Sequence, residues 1–423
     1  MRASRIVPIT LVSAILDAAK SVEWKQRCMM PRTRQTILGV WTLLALVVVP
    51  GRADAVPGCP FCAPSDPPFS ERLARCDVAL LVKWVALNSD SELAKESTTF
   101  EVVETFRTSK RSFKAADKVT WEYGRNAKPG DPFLLIGTEV NETINWEQPL
   151  AVGGEYLLKY IQKVPPLDAP DRLSFFLKFL EFPDSDICND AYAEFSRAEF
   201  KDVAALAPKL PRQKMRQWLS SNDPQMQVRL GLYGMLLGLA GDDSDAEFLE
   251  PLILKAADPD KPRLGIDGMM AGYILLRGER GLQKLMAAKF DDPRAEDDLV
   301  PLRNALMFLW DYGQDRVPAD SLRVTMRRFL DRPQIAANVI ENLARWKDWQ
   351  SLDRLVTAYG MTPFDSNLSK QKIVAFALVC EKDGRKTSPD ALPPSAMKAR
   401  KFLDGLDVEF VKSVERSFLG SRP

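Results

Sequence analysis

The chain has 423 residues, 46% of them hydrophobic and 27% charged, with a net charge of +1 at pH 7. So small a net charge provides no large field to draw in nucleic acid or an anionic membrane, and neither partner is implied. The chain contains no histidine, which excludes Ser-His-Asp and Cys-His catalysis and every His-ligated zinc site.

The first ordered signal lies between Met30 and Ala55. Met30-Pro31-Arg32-Thr33-Arg34 is a short basic lead, Thr36 to Val49 is an almost unbroken apolar run, and Ala53-Asp54-Ala55 is a small-residue cleavage site. This order predicts a secretory signal peptide over residues 30–55. The run has 14 residues, against the roughly 20 needed to span a bilayer, so no membrane span is expected once the leader is removed. Residues 1–29 are weakly patterned and are expected to be an upstream extension from a misassigned start. The remaining 56–423 is then expected to act in an exported, periplasmic or extracellular setting.

Five cysteines follow the leader: Cys59, Cys62, Cys76, Cys188 and Cys380. In an oxidising compartment an odd number leaves a thiol unpaired within the monomer. Cys59, Cys62 and Cys76 are the disulfide candidates, tying the amino-terminal segment to the fold that follows. A redox role for Cys59-Pro60-Phe61-Cys62 would need a helix start after a strand, and the motif here follows a leader instead. Covalent haem attachment fails because Ala63 stands where CxxC-His requires histidine.

Residues 78–85, 98–106, 119–123, 132–136 and 155–160 are rich in β-branched and aromatic residues and are separated by turn signals. They predict five strands and a small barrel over 56–163. That order, with cysteines at the mature start, resembles the netrin-like module of the metalloproteinase-inhibitor family, an OB-type five-stranded barrel. In that family a cysteine at the extreme amino terminus chelates the target's zinc. Here Val56-Pro57-Gly58 precede Cys59, so the resemblance implies the fold and leaves inhibition as an alternative function.

Val164-Pro165-Pro166 opens a linker over 164–170, after which the apolar period becomes helical, as at Leu173, Phe176, Leu177 and Leu180. Helix pairs are expected through 171–423, with turns at Gly241-Asp242, Asp258-Pro259, Gly278, Asp291-Asp292-Pro293, Val317-Pro318, Arg332-Pro333 and Gly360. Asp223-Pro224 with Val228-Arg229 resembles the inter-helix turn of HEAT repeats, implying an α-solenoid with a period of about 40 residues. The CPFC opening, the Ala79-Leu80-Leu81-Val82 strand and Asp190-Ala191-Tyr192 resemble exported bacterial proteins that begin the same way, a resemblance that carries no activity with it.

Acidic clusters at 242–245, 258–260 and 291–298 precede predicted helices and are expected to cap them. Gly231, Gly234, Gly238 and Gly241 are expected to permit close helix packing. Trp310 and Trp346 are expected in the core, and Trp349 and Arg229 on an interaction surface. No catalytic, cofactor-binding or metal-ligating set is expected. The whole reads as a β-then-α exported protein that binds a protein partner along the groove side of 212–380. The alternative is a thiol-disulfide oxidoreductase using Cys59 and Cys62.

Overall fold

A computed structural model describes residues 58–63, 65–90, 95–108, 111–255, 263–388 and 390–419. The leader, the upstream extension and the Asp258–Asp260 cluster lie outside these residues. Helix α1 (Phe69–Arg75) precedes strands β1 (Val78–Asp90), β2 (Lys95–Arg107), β3 (Lys118–Trp121), β4 (Pro132–Val140), β5 (Thr143–Trp146) and β6 (Leu150–Ala151). The sheet runs β3-β2-β1-β4-β5, every pair is antiparallel, and β6 joins β4 off this path. Register shifts between β1 and β2 at Ala79/Leu80, Leu81/Val82 and Trp84/Ala86 bend the two long strands, so the sheet curls into a half-barrel.

Two departures from the expected strands have local causes. Residues 155–160 form helix α2 (Glu155–Ile161) rather than a fifth strand. Leu157, Tyr160 and Ile161 are the buried residues, and that spacing is helical rather than alternating. The strands missing from the expectation are β5 and the two-residue β6. Asn141 and Glu142 both adopt left-handed backbone (φ 50° and 64°), so Val140–Thr143 closes a type I′ hairpin. Glutamate is an unusual second residue for that turn, which concealed it.

The remaining helices are α3 (Leu173–Phe176), α4 (Ser185–Arg197), α5 (Phe200–Ala204), α6 (Arg212–Leu219), α7 (Pro224–Gln227), α8 (Leu230–Ala240), α9 (Asp243–Leu254), α10 (Ile266–Leu285), α11 (Leu299–Tyr312), α12 (Ala319–Arg328), α13 (Pro333–Arg345), α14 (Leu352–Ala358), α15 (Asn367–Thr387), α16 (Pro394–Asp404) and α17 (Val408–Val414). The expected turn at Gly278 breaks α10, with φ 59° and ψ −143°. One row then runs α8, the first half of α10, α11, α13, α15, and a second, joined by polar links, runs α9, the second half of α10, α12, α14, α16.

Polar side chains join successive helices of each row. Asp267 meets Asn304, Asp311 meets Arg345 and Lys347 meets Asp383 in the first row, while Glu250 meets Lys284 in the second. The separations are 37, 34, 36 and 34 residues, and the further second-row links Glu279–Ser321 and Asp353–Lys398 span 42 and 45. The layout is therefore a β half-barrel followed by helical repeats.

The glycines expected to allow close packing do so where α8 crosses α10. A Cβ on Gly238 would lie 2.3 Å from the Gly272 Cα, and one on Gly268 only 2.0 Å from the Gly231 carbonyl oxygen. The expected caps divide. Asp242 and Asp245 form a capping box on α9. Asp298 makes no side-chain cap at the start of α11. It is 2% exposed and pairs with Lys289, also 2% exposed, and with Arg263. A buried cation nearby outcompetes the amides for this carboxylate.

Removing one member of such a pair strands the other without water. Asp298→Asn is expected to cost about 3–5 kcal/mol in urea unfolding, while Asp243→Asn, at an exposed site, should cost under about 1 kcal/mol. Equal losses would contradict this assignment.

Candidate site at the barrel–array junction

The expected linker does not separate two cores. Ala79 and Leu81 of β1 and Leu134 and Ile136 of β4 join the cluster that continues through the helices to Val414. Val78, Leu80, Val82, Phe133 and Leu135, on the opposite face of the same strands, fill the half-barrel with Phe100, Val102 and Val119. The amino-terminal segment is strapped across this junction.

The Cys59–Cys62 disulfide is formed, and Cys76, Cys188 and Cys380 are free and buried. Cys76, a disulfide candidate in the sequence, instead donates its Sγ hydrogen to the Leu73 carbonyl. Burial raises the pKa of all three free thiols, that of Cys380 to about 11, so they stay protonated at neutral pH and are poor nucleophiles. The disulfide loop is held at several points. The Cys59 amide donates to the Ser196 carbonyl at 2.8 Å, and the Ala63 amide donates to the Tyr192 hydroxyl at 2.8 Å. Phe61 is buried against Phe308 of α11, with ring centroids 5.0 Å apart. A Cβ on Gly231 would lie 2.5 Å from the Phe61 carbonyl oxygen. The loop therefore lies across α8 and α11 in the first helical row, where the sequence had left a groove.

Beneath the strap, α4 turns two carboxylates inward. Asp190 accepts the Phe69 amide at 2.6 Å and the Tyr160 hydroxyl at 2.6 Å. Glu194 accepts from Ser70 Oγ and, at 2.6 Å, from Arg172. Desolvation raises the pKa of both despite these donors. Acidic residues four apart on the stripe of Ile187, Ala191 and Phe195 were the sequence signal for this network, and it was not read as such. Two adjoining hollows flank it, of 660 Å³ and 460 Å³, sharing Asp66, Pro67, Arg72, Leu150 and Asp186. Arg72 is itself paired with Glu147 at 2.7 Å.

The two residues expected on an interaction surface are placed differently. Arg229 is 2% exposed and binds Glu181 and Asn189 while lying over the Tyr192 ring; it fastens α8 to α4. Trp349 is half-buried, edge-on to Phe376, and donates its indole N–H to Asp383. Trp310 and Trp346 stack 4.5 Å apart, with Trp346 fully buried, as expected. Among the described residues no helix is long and apolar enough to cross a membrane. No family model and no curated protein matches the chain.

Chemically the junction is a fastening: each carboxylate oxygen of Asp190 meets one donor, and the disulfide fixes the loop that carries Phe61. Closing this four-residue loop is worth about 2 kcal/mol on chain-entropy grounds. The double variant Cys59→Ser/Cys62→Ser should lose about that in urea unfolding. Native alkylation of wild type followed by peptide mapping should leave all five thiol positions unmodified, and labelling of Cys59 or Cys62 would contradict the pairing.

The raised pKa of Asp190 gives a pH signature. Its contribution is complete below the unfolded value near about 3.9 and is lost as pH rises through the folded value. Wild type should therefore gain stability over Asp190→Asn as pH falls from neutral toward about 4, measured by denaturant unfolding. A gap that shrinks on acidification would reverse the sign.

Proposed function

We propose that the chain is an exported, non-catalytic binding or scaffold protein that engages a protein partner through the solvent side of its helical rows. The observation that carries this reading is the succession of polar links between neighbouring helices of each row, 34 to 45 residues apart. Rows of helices joined in succession make an extended surface, the arrangement solenoids use for protein recognition. A HEAT-like assignment rests on the Asp223-Pro224 and Val228-Arg229 turn.

Because the disulfide loop lies over α8 and α11, the available part of the first row is its later half. There Glu341 of α13, with its side chain 56% exposed, pairs with Lys372 of α15. This charged stripe is the surface we assign to the partner. Export is supported by the Met30–Ala55 pattern and by a formed disulfide, which persists in oxidising compartments. A netrin-like, OB-type origin for the half-barrel is supported by the pairing of β1 with both β2 and β4.

The test is capture from bacterial envelope extract with residues 56–423 as bait. A specific partner should be retained by wild type and released by the charge swap Glu341→Lys with Lys372→Glu. A partner held equally by the swapped protein, or none that requires the helical half, removes the reading. The half-exposed CxxC disulfide favours thiol-disulfide exchange as the second reading; insulin reduction that disappears in Cys59→Ser would establish it.

A further inference from the structure

The half-barrel stops short of closure in a way that specifies what would complete it. Strands β3 and β5 are the two ends of the path, each paired on one side only, and they face one another across a 670 Å³ cleft. Its walls carry Trp121 and Tyr123 from the β3 side and Ile144 and Trp146 from β5. At its rim the Phe113 and Trp146 rings meet edge to face, 6.1 Å apart.

The direction of the strands limits how the gap can be filled. Every neighbour on the path is antiparallel, so β3 and β5, each two steps from β1, both run parallel to it and to each other. Direct closure would require one parallel pair in an otherwise antiparallel ring. One additional strand, running opposite to both edges, closes it with antiparallel ladders throughout.

The backbone is oriented for such a strand. In an antiparallel ladder, residues alternate between those bonded to the neighbour and those facing away. The Val102 amide donates to the Asp117 carbonyl at 2.9 Å, and the Glu147 amide to the Ile136 carbonyl at 2.8 Å. These bonds set the phase along the registers Phe100↔Val119 and Thr138↔Asn145. Counting by twos, the outward N–H and C=O groups belong to Lys118 and Thr120 on β3 and to Ile144 and Trp146 on β5. Each edge strand has 4 residues, matching an inserted stretch of about 13 Å.

We propose that the cleft between β3 and β5 binds one extended peptide segment of a partner protein, hydrogen-bonded antiparallel to both edges and completing the barrel as its missing strand. Alternate side chains of the peptide enter the interior beside Val119 and Ile144, and are apolar and β-branched. The others face solvent.

The experiment selects from a displayed library of random seven-residue peptides against the full exported chain. Enriched peptides should alternate apolar and polar residues over four or five positions. The best one is then resynthesised in two forms, with N-methyl groups on one or the other set of alternate amides, which removes the donors to one edge and leaves the side chains. Methylation of either set should weaken binding by about tenfold or more, as expected for losing two hydrogen bonds.

Thr120→Pro should produce a similar loss. Its N–H does not face β2, and proline is tolerated on an edge in that orientation; near-ultraviolet circular dichroism checks the fold. No enrichment, or methylated peptide bound as tightly as the parent, overturns the proposal. So does a cleft that binds cellohexaose in preference to every selected peptide, which would make the aromatic walls a sugar platform.

Discussion

The structure depends on two strands that are buried on both faces. β1 and β4 carry Val78, Leu80, Val82, Phe133 and Leu135 into the half-barrel, and Ala79, Leu81, Leu134 and Ile136 into the helices. A sheet face turned to water would read as alternation, whereas these strands read as continuous apolar runs. Because one backbone serves two cores, the barrel and the first helices cannot move independently without exposing one of them. The strap of residues 59–63 depends on that rigidity. It binds Ser196 and Tyr192 on α4, and through Phe61 it binds α11, so it spans elements whose relative positions the shared sheet has already fixed.

In a chain without histidine, the charged groups have mostly been committed to holding helices together. Asp245, fully buried, receives both Arg212 and Arg216. Asp348, 2% exposed, takes Arg327 and Ser351. Arginine suits this work because its planar fork reaches a carboxylate with two donors at once. Such pairs add modestly to net stability, since desolvation offsets much of the attraction. Their larger effect is on register: a helix that slipped by one turn would leave a buried charge unpaired.

Much of this architecture was legible in the sequence because it rests on local rules. The turn at Gly278, the capping box at Asp242 and Asp245, the glycine crossing of α8 with α10 and the burial of Trp346 each follow from residue type and spacing. What could not be read depends on partners distant in the chain. Arg229 sits in a motif that suggested a surface, yet Glu181 and Asn189, 48 and 40 residues away, draw it inside. Asp298 looked like a cap until Lys289 and Arg263 were found beside it. Asp190 and Glu194 lie on an apolar stripe with their donors, Tyr160, Ser70 and Arg172, on other elements. The disulfide was narrowed to three cysteines, and only the fold separates Cys76 from the other two.

The unclosed edge also has to be compatible with a protein that does not aggregate. Exposed strand edges are templates for any extended chain, and natural sheets blunt them by shortening them and by placing charge nearby. Here β3 and β5 have 4 residues each, Lys118 is engaged by Glu101, and Arg111 lies over Phe113 at the rim. Either edge alone is too short to hold a strand firmly. Two short edges facing one another reward only a segment that satisfies both at once, in one direction and one register. Selectivity then comes from geometry before any side chain is read, and the same brevity that guards each edge is what makes their pairing specific.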